Sequence, residues 1–264
     1  FFRGKLLQDE GMAGLVAAVA LMAHGFLLPF RVGSDALWSV HSVKSPTKLE
    51  RLLPSGLTLA KVRVLKTDTL PRACICINTF RVHTPLFHGT RAELVTLARS
   101  RNGGLHFVVI DCLSDTFSWM PGQGVRGATT DFAPQKWRVA NCVRVRASSG
   151  ASVQYALSGR VGSAVGLTRE FAIEANELCY TASNARPIQL LFSPATVGAD
   201  VMRMRSIECK CAHPEWAGLV GPARSAFLHP HPMLFVVVLP LAFFASMFTK
   251  PDALAASRTD SSGA

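Results

Sequence analysis

Charged residues are scarce in this chain, and the acidic ones are scarcer than the basic ones. Only 17% of the 264 residues are charged and 49% are hydrophobic, a balance that excludes a disordered protein and a coiled coil. The 28 lysines and arginines exceed the 17 acidic residues, so the net charge is +11, which favours an anionic partner. The basic residues form no dense block, and "VRVRA" (143–147) alternates arginine with apolar residues. That alternation is typical of a solvated strand face, so we expect no nucleic acid partner.

The motifs of several common enzymes and cofactor proteins are absent as well. The sequence has no GxxxxGK[ST] phosphate loop, and "GQGVRG" (122–127) lacks the strand-before and helix-after context of a dinucleotide loop. It has no CxxCH haem attachment sequence and no GxSxG nucleophile elbow. Asp111 and Asp115 could form an acid–base pair, but solvated aspartates are common after a hairpin. The sequence therefore shows no complete catalytic set.

The seven cysteines do not suggest a disulfide framework. Their number is odd, and the pairs Cys74/Cys76 and Cys209/Cys211 are each separated by one residue, so a bridge within either pair would be strained on a strand. We therefore expect reduced thiols and a reducing compartment. In "CKCAH", Cys209, Cys211 and His213 fall at alternate positions and could face one zinc ion. The spacing is not that of a Cys-x-x-Cys site, so we expect no cofactor, with zinc as the alternative.

Two long hydrophobic runs lie near the ends of the chain. Residues 11–30, "GMAGLVAAVALMAHGFLLPF", carry no formal charge and as a helix would match a hydrocarbon core of about 30 Å. Residues 233–248, "MLFVVVLPLAFFASMF", are shorter, and Pro240 would kink a helix there. We predict flanking transmembrane helices, with anchors at 1–30 and 229–264, and expect His24 to pack against a neighbouring helix. A leftover targeting helix is the alternative for the first run, and a chain that starts at Phe1 fits an imported, trimmed protein.

Residues 31–228 predict one mainly β domain, an antiparallel barrel or sandwich with a short helix. "SPTKLERLLPSGL" (45–57) begins with a capping serine and a proline at the first helical position. The Asn102-Gly103-Gly104 turn predicts a hairpin, "SSGA" (148–151) predicts a second, and "PGQGVRGATT" (121–130) reads as an irregular loop. The predicted strands are 58–65, 73–83, 92–99, 105–113, 137–147, 153–159, 178–182, 188–192 and 201–208.

Four stretches of this domain carry a resemblance to a known family. "LERLLPSGLTLAK" (49–61), "ACICINTFRVH" (73–83), "GTRAELVTLARSRNGGLHFVVIDCLSD" (89–115) and "PIQLLFSPATVGADVMRMRSIE" (187–208) together resemble the acetoacetate-decarboxylase-like superfamily. The resemblance covers most of residues 49–208. It implies a β-barrel and a catalytic lysine, in a Pro-Lys-Lys stretch after the hairpin, that forms a Schiff base with a keto acid.

The nucleophile that this resemblance implies is not found. The corresponding region, "DTFSWMPGQGVRGATTDFAPQKWR" (115–138), contains no Pro-Lys pair. Arg126 stays protonated and cannot serve, and Lys136 stands beside Trp137 at a predicted strand start, where we expect a surface side chain. The family's polar pocket could survive as Arg91 and Glu93, which would share one face of a strand. They are candidates for a vestigial pocket, with an ordinary surface pair as the alternative.

These observations favour a structural role over a catalytic one. We expect an accessory subunit of an organellar inner-membrane complex, with other subunits and membrane lipids as partners. A complex of the mitochondrial respiratory chain is preferred over a thylakoid complex. A membrane-tethered enzyme or small-molecule binder that uses the barrel pocket is the alternative. A zinc protein built around Cys209, Cys211 and His213 is the third.

Overall fold

The computed structural model describes residues 25–33, 36–83, 88–115, 118–120, 124–126, 135–139, 142–149, 152–180, 188–192 and 200–240. Most of these residues form β-strands, as the alternation of apolar and polar residues predicts. The strands are β1 (Gly25–Val32), β2 (Ala36–Val43), β3 (Leu57–Leu59), β4 (Cys74–His83), β5 (His88–Ser100), β6 (Leu105–Ser114), β7 (Ser118–Met120), β8 (Gly124–Arg126), β9 (Gln135–Val139), β10 (Cys142–Ser149), β11 (Ser152–Val165), β12 (Ala175–Tyr180), β13 (Ile188–Phe192), β14 (Val201–Cys211), β15 (Val220–His229) and β16 (Met233–Pro240).

The helices of the described residues are short. Helix α1 (Pro46–Glu50) follows Ser45 and has its proline in the first turn, as predicted, and Leu49 is fully buried beneath it. Helix α2 (Pro214–Ala217) buries Trp216, and one π-helical turn spans Glu170–Glu174. These helices cover the sheet and do not form a layer of their own.

Seven strands close a ring through their hydrogen bonds, in the order β4, β5, β6, β12, β13, β16, β1 and back to β4. The closure between β1 and β4 rests on two residue pairs, Arg31 with His83 and Val32 with Val82. The β6–β12 pairing is parallel and the others in the ring are antiparallel. A closed ring leaves none of its seven strands with a free edge. The ring supports the barrel alternative of the prediction, but the parallel β6–β12 pair departs from the predicted antiparallel arrangement.

A second series of strands extends from the barrel at β4. It runs β2, β15, β14, β11, β10 and β9, with every pair antiparallel. Two consecutive strand pairs link the two series. Strand β1 pairs with β16 and strand β2 pairs with β15, while β1 and β2 follow each other along the chain, as do β15 and β16. The strands from 25 to 43 and from 220 to 240 therefore form one long ribbon shared by both parts of the sheet.

The prediction of transmembrane helices is wrong wherever the structure describes the two hydrophobic runs. Residues 25–32 and 233–240 are strands β1 and β16, and they pair with each other from Gly25–Pro240 to Val32–Met233. A uniformly apolar run has no periodicity that separates a helix from a strand buried in a barrel wall. None of the helices among the described residues has the length and hydrophobicity of a membrane span. Residues 1–24, with His24, and 241–264 lie outside the described residues.

The structure confirms both predicted hairpins, but one predicted loop contains a strand. The turn at Asn102-Gly103-Gly104 joins β5 and β6, with Gly103 at a φ of +87° that favours glycine. The pairing of Ser149 with Ser152 confirms the second hairpin. Within residues 121–130, expected to be irregular, β8 pairs with β7 as a small hairpin. Strands β2 and β15, which the sequence analysis did not identify, supply the centre of the shared ribbon.

Two hydrophobic clusters lie on opposite faces of strands β4 and β5. The first includes the rings of Trp38, Phe107, Phe171 and Phe227, and lies on the face from which Cys74, Cys76, Val95 and Leu97 project. The second packs Ile75, Ile77, Ala92 and Leu94 against Leu49, Tyr155, Met204 and Trp216. Both faces of these strands are therefore buried at their centres, so a polar side chain that is buried there needs a partner inside the protein.

Candidate functional site

A row of polar side chains crosses three neighbouring strands on the face of the first hydrophobic cluster. Asn78 on β4 pairs with Glu93 on β5, and Glu93 pairs in turn with Cys112 on β6. Two residues away along the same strands, Arg91 on β5 pairs with Ser114 on β6. Side chains directly opposite each other in a sheet share one face and lie about 5 Å apart at Cβ, so these residues form one buried polar site.

A β-bulge decides which residue of β6 faces this site. The register of β5 and β6 shifts between Leu94, which pairs with Asp111, and Val95, which pairs with Val109. The extra residue, Ile110, exchanges the two faces of β6. Cys112 therefore joins Val109 in the first cluster, while Asp111 projects to the other side.

Arg91 is held by partners within the site. Its Nη2 lies 3.3 Å from Oε1 of Glu93, and the two side chains are only 6% and 12% exposed. Its Nε and Nη2 also donate to the Sγ of Cys112 at 3.4 and 3.3 Å. The surface-pair alternative for Arg91 and Glu93 is therefore wrong, because the two side chains form a buried pair. That they line a vestigial pocket stays a prediction.

Burial controls the protonation of this site. Burial raises the pKa of Glu93, and the neighbouring Arg91 opposes that rise. Burial likewise raises the pKa of the Cys112 thiol to about 11, against the lowering effect of Arg91. Since the thiolate is the nucleophilic form of cysteine, Cys112 is protonated at neutral pH and is a poor nucleophile.

Two buried polar atoms beside the site lack a hydrogen-bond partner among the described residues. They are Nε1 of Trp38, a donor, and Oδ1 of Asn78, an acceptor, and their residues pair directly across β2 and β4. A buried polar group without a partner costs about 1–3 kcal/mol. Such a cost marks this part of the site as a place where a water molecule or a ligand would be stabilised.

No lysine amine is found at this site among the side chains that the structure describes. The described lysines, Lys44, Lys48, Lys61, Lys66 and Lys210, are all exposed. Lys136 lies on β9, the outermost strand of the second series, where it pairs with Val145 and not with a barrel strand. Arg126 belongs to the β7–β8 hairpin.

The two aspartates considered for acid–base chemistry have separate structural roles. Oδ2 of Asp111 accepts a hydrogen bond of 2.6 Å from the indole Nε1 of Trp216, which docks helix α2 on the sheet. Oδ1 of Asp115 accepts the backbone N–H of Thr90 at 2.6 Å. The bulge at Ile110 places Asp111 on the second cluster's face, so the pair does not form a catalytic dyad.

The zinc candidates have other neighbours. The Sγ of Cys209 lies 4.0 Å from Nε2 of His41, and burial raises the pKa of Cys209 to about 12. The ring of His213 packs on Trp216 at 4.9 Å. In the part of the chain that the structure describes, no three histidine, cysteine or acidic side chains are grouped to hold a metal ion. The geometry therefore gives the zinc alternative no support.

A second polar network, which the sequence analysis missed, lies on the second cluster's face. The Nδ1 of His41 lies 3.0 Å from the Gly221 carbonyl, to which it can only donate, so Nε2 accepts from Ser39 Oγ at 2.9 Å. Ser39 then accepts from the hydroxyl of Tyr155 at 2.8 Å. These three side chains are at most 1% exposed, so the network resembles a nucleophile and base but is closed to substrates. The alternate positions of Ser39 and His41 on one strand were the signal available in the sequence.

Comparisons with known proteins identify the fold. No protein-family profile and no curated protein sequence matches the chain. The solved structure of the enduracididine biosynthesis enzyme MppR complexed with pyruvate matches with a TM-score of 0.51 at 11% identity, over 80% of this chain and 88% of that chain. The same enzyme with HEPES buffer bound gives 0.50 and 12%, over 80% and 85%. The acetoacetate decarboxylase of Legionella pneumophila aligns over 80% and 85% at 12% identity, with a TM-score of 0.48.

The two MppR matches, with TM-scores of 0.51 and 0.50, support the resemblance at the level of the fold. The chain has an acetoacetate-decarboxylase-like fold, and the Arg91–Glu93 site lies on strands of its barrel ring. Identities of 11–12% carry the architecture alone, so the chemistry of this chain must be argued from its own residues.

Proposed function

We propose that this protein is a non-catalytic accessory subunit of an organellar inner-membrane complex, with the mitochondrial respiratory chain preferred over a thylakoid complex. Its barrel acts as a scaffold beside the core of the complex. Other subunits of the assembly and membrane lipids are its partners, and it uses no metal or organic cofactor.

The observation that carries the proposal is the exposure of the five lysines whose side chains the structure describes. A Schiff-base lysine must be partly neutral near pH 7, which requires burial or a neighbouring cation. Lys44, Lys48, Lys61, Lys66 and Lys210 are exposed, and the buried cation of the polar site is Arg91, paired with Glu93. An arginine cannot be deprotonated at this pH, so the site holds a cation without offering an amine.

The pairing of β1 with β16 supports attachment through the apolar flanks. Gly25 and Pro240 are a residue pair at the end of these strands, so the chain enters β1 and leaves β16 at neighbouring points. Neither 11–24 nor 241–248 contains a lysine, arginine, aspartate or glutamate. Each is shorter than the roughly 20 residues that a spanning helix needs. We therefore propose that they attach the barrel to lipid or to apolar surfaces of neighbouring subunits.

Native electrophoresis tests the assembly directly. Membranes of the source organelle are extracted in a mild detergent, separated on a native gel and probed for this chain by mass spectrometry. We expect it to migrate in one large complex and to cross-link to the same neighbours in repeated preparations. A chain found only as a free monomer would contradict the proposal.

A small-molecule binder is the second candidate, because Trp38 Nε1 and Asn78 Oδ1 are buried without partners beside Arg91. The structural relative MppR was solved with pyruvate, so small 2-oxo acids are the first probes. Thermal unfolding of the full chain should be followed with and without pyruvate, alongside an Asn78→Leu variant. A rise in melting temperature with pyruvate that the variant lacks would favour the binder over the scaffold.

A further inference from the structure

Three arginines meet on the exposed face of the second series of strands. Arg160 on β11 stands directly opposite Arg205 on β14, and Arg203 lies two residues before Arg205 on the same face. All three are exposed. We call Arg160, Arg203 and Arg205 the arginine seam. Like charges directly opposite each other in a sheet are destabilising. Repulsion within the seam therefore lowers the stability of the fold, and a partner of opposite charge would relieve that repulsion.

The seam has no ion-pair partner among the residues that the structure describes. Among the described residues, the ion pairs are Arg91 with Glu93 and Arg99 with Glu170, and neither involves the seam. The nearest acidic residue along its face is Glu208, which stands opposite Ser158 and accepts its hydroxyl at 3.4 Å. The three guanidinium groups are therefore available to a partner outside the chain.

The backbone around the seam is shaped to hold these side chains together. The β11–β14 register shifts on both sides of the Arg160–Arg205 pair, and bulges of this kind redirect side chains. Ser206 has a φ of +51°, a strained value for a residue other than glycine. A Cβ on Gly162 would lie 2.8 Å from the Arg203 carbonyl oxygen and 3.1 Å from Cγ and Nε of Arg205. Glycine at 162 thus makes room for Arg205 to lie across β11.

The basic character extends over three adjacent strands. Lys210 is exposed and pairs with Ala156, which shares the seam's face of β11. On β10, Arg144 and Arg146 occupy the register positions opposite Ser158 and Ala156. Neighbouring strands are about 4.8 Å apart and alternate residues about 6.8 Å apart. The basic residues are therefore distributed both along and across the strands. In the described part of this face, Glu208 is the acidic residue.

We infer that the seam's face docks on a bilayer surface that contains anionic phospholipids. Arginine forks bind phosphate oxygens in pairs, and a two-dimensional spread of charge complements a two-dimensional layer of phosphates. Single-stranded nucleic acids are instead bound in grooves with stacking aromatic side chains. On β11 and β14 the described residues of this face, Ala156, Ser158, Arg160, Arg203, Arg205, Glu208 and Lys210, include no aromatic residue. Of the aromatic residues paired with the flanking basic positions, Phe227 opposite Arg203 is fully buried and Trp137 stands opposite Arg144 at the far edge on β9. Each basic residue near such a surface strengthens binding about fivefold.

Vesicle binding of the full chain tests this docking. The chain is mixed with phosphatidylcholine vesicles with or without a minority of phosphatidylglycerol, and the bound fraction is measured by flotation at low and high salt. We expect anionic vesicles to bind more strongly, with the difference reduced by salt. Replacing the seam (R160Q/R203Q/R205Q) should weaken binding to anionic vesicles on the order of a hundredfold and leave binding to neutral vesicles unchanged.

A matched variant separates the seam from net charge. Lys61, Arg63 and Arg72 are also exposed, and K61Q/R63Q/R72Q removes the same three charges from another part of the surface. It should keep most of the anionic preference, as should the charge-retaining R160K/R203K/R205K. Circular dichroism and melting temperature identify any variant that fails to fold, and the single variants R160Q, R203Q and R205Q then carry the test, each with an expected loss of about fivefold in binding to anionic vesicles.

Several results would overturn the inference. These are equal losses in the two glutamine variants, no preference of the wild type for anionic vesicles, or seam-dependent binding to a single-stranded RNA homopolymer without vesicle binding. Binding to neutral vesicles measures attachment through the apolar flanks of the proposed function. The additional binding to anionic vesicles measures the contribution of the seam. The two proposals can therefore fail separately.

Discussion

Replacing Arg91 by methionine should unfold the barrel more readily than replacing a comparable surface arginine. Arg91 and Glu93 are 6% and 12% exposed and 3.3 Å apart. Removing one partner of a buried ion pair leaves the other charge uncompensated and costs about 3–5 kcal/mol. That is a large part of the 5–15 kcal/mol that stabilises a typical domain, so the shift should be plain in a urea titration followed by tryptophan fluorescence.

The loss should also depend on pH. Burial raises the pKa of Glu93, so this carboxyl contributes stability that is full below its unfolded pKa and is lost as pH rises through its folded pKa. Without Arg91 the ionised form is penalised further. The cost of Arg91→Met should therefore be larger at pH 8 than at pH 5.

Two comparisons make this prediction refutable. In Arg91→Met/Glu93→Met both charges are gone, and replacing a buried pair by apolar residues is often neutral, so the double variant should be more stable than Arg91→Met. Arg99→Met removes one partner of the Arg99–Glu170 pair, whose side chains are 38% and 25% exposed, and should cost no more than about 1 kcal/mol. Equal losses for Arg91→Met and Arg99→Met, or a double variant that costs the sum of its singles, would refute the reasoning.

Two further predictions concern other buried polar groups. Burial lowers the pKa of His229 to about 4, so its contribution to stability is full above its unfolded pKa near 6.5 and is lost as pH falls through 4. That contribution is about 3 kcal/mol. His229→Phe should therefore make the free energy of unfolding less dependent on pH between 6.5 and 4. An unchanged pH dependence would contradict the lowered pKa of His229. Trp216→Phe removes the 2.6 Å hydrogen bond to Asp111 and should lower the free energy of unfolding by about 1.5–3 kcal/mol. In an Asp111→Asn background the loss should be smaller, and an equal loss there would show that the bond contributes little.

The barrel was predictable where local signals are strong. The Asn102-Gly103 turn predicts its hairpin because glycine adopts the positive φ that the turn requires. Strands β1 and β16 were taken for helices because a uniformly apolar run has no periodicity, and their pairing across some 200 residues of chain is a tertiary fact. The burial of Arg91 and Glu93 could not be read from β5 alone, since it depends on the neighbouring strands and the first hydrophobic cluster. The bulge at Ile110, which turns Asp111 away from Cys112's face, had no signal in the sequence.

Schiff-base trapping tests most directly whether this barrel lacks the lysine chemistry that the family resemblance implies. The purified full chain is incubated with pyruvate and a borohydride reductant, digested, and searched by mass spectrometry for reduced lysine adducts. Because every lysine whose side chain the structure describes is exposed, we predict no adduct above the level of a lysine-rich control protein. A stoichiometric adduct at a single lysine, with Lys136 the first position to inspect, would contradict the account.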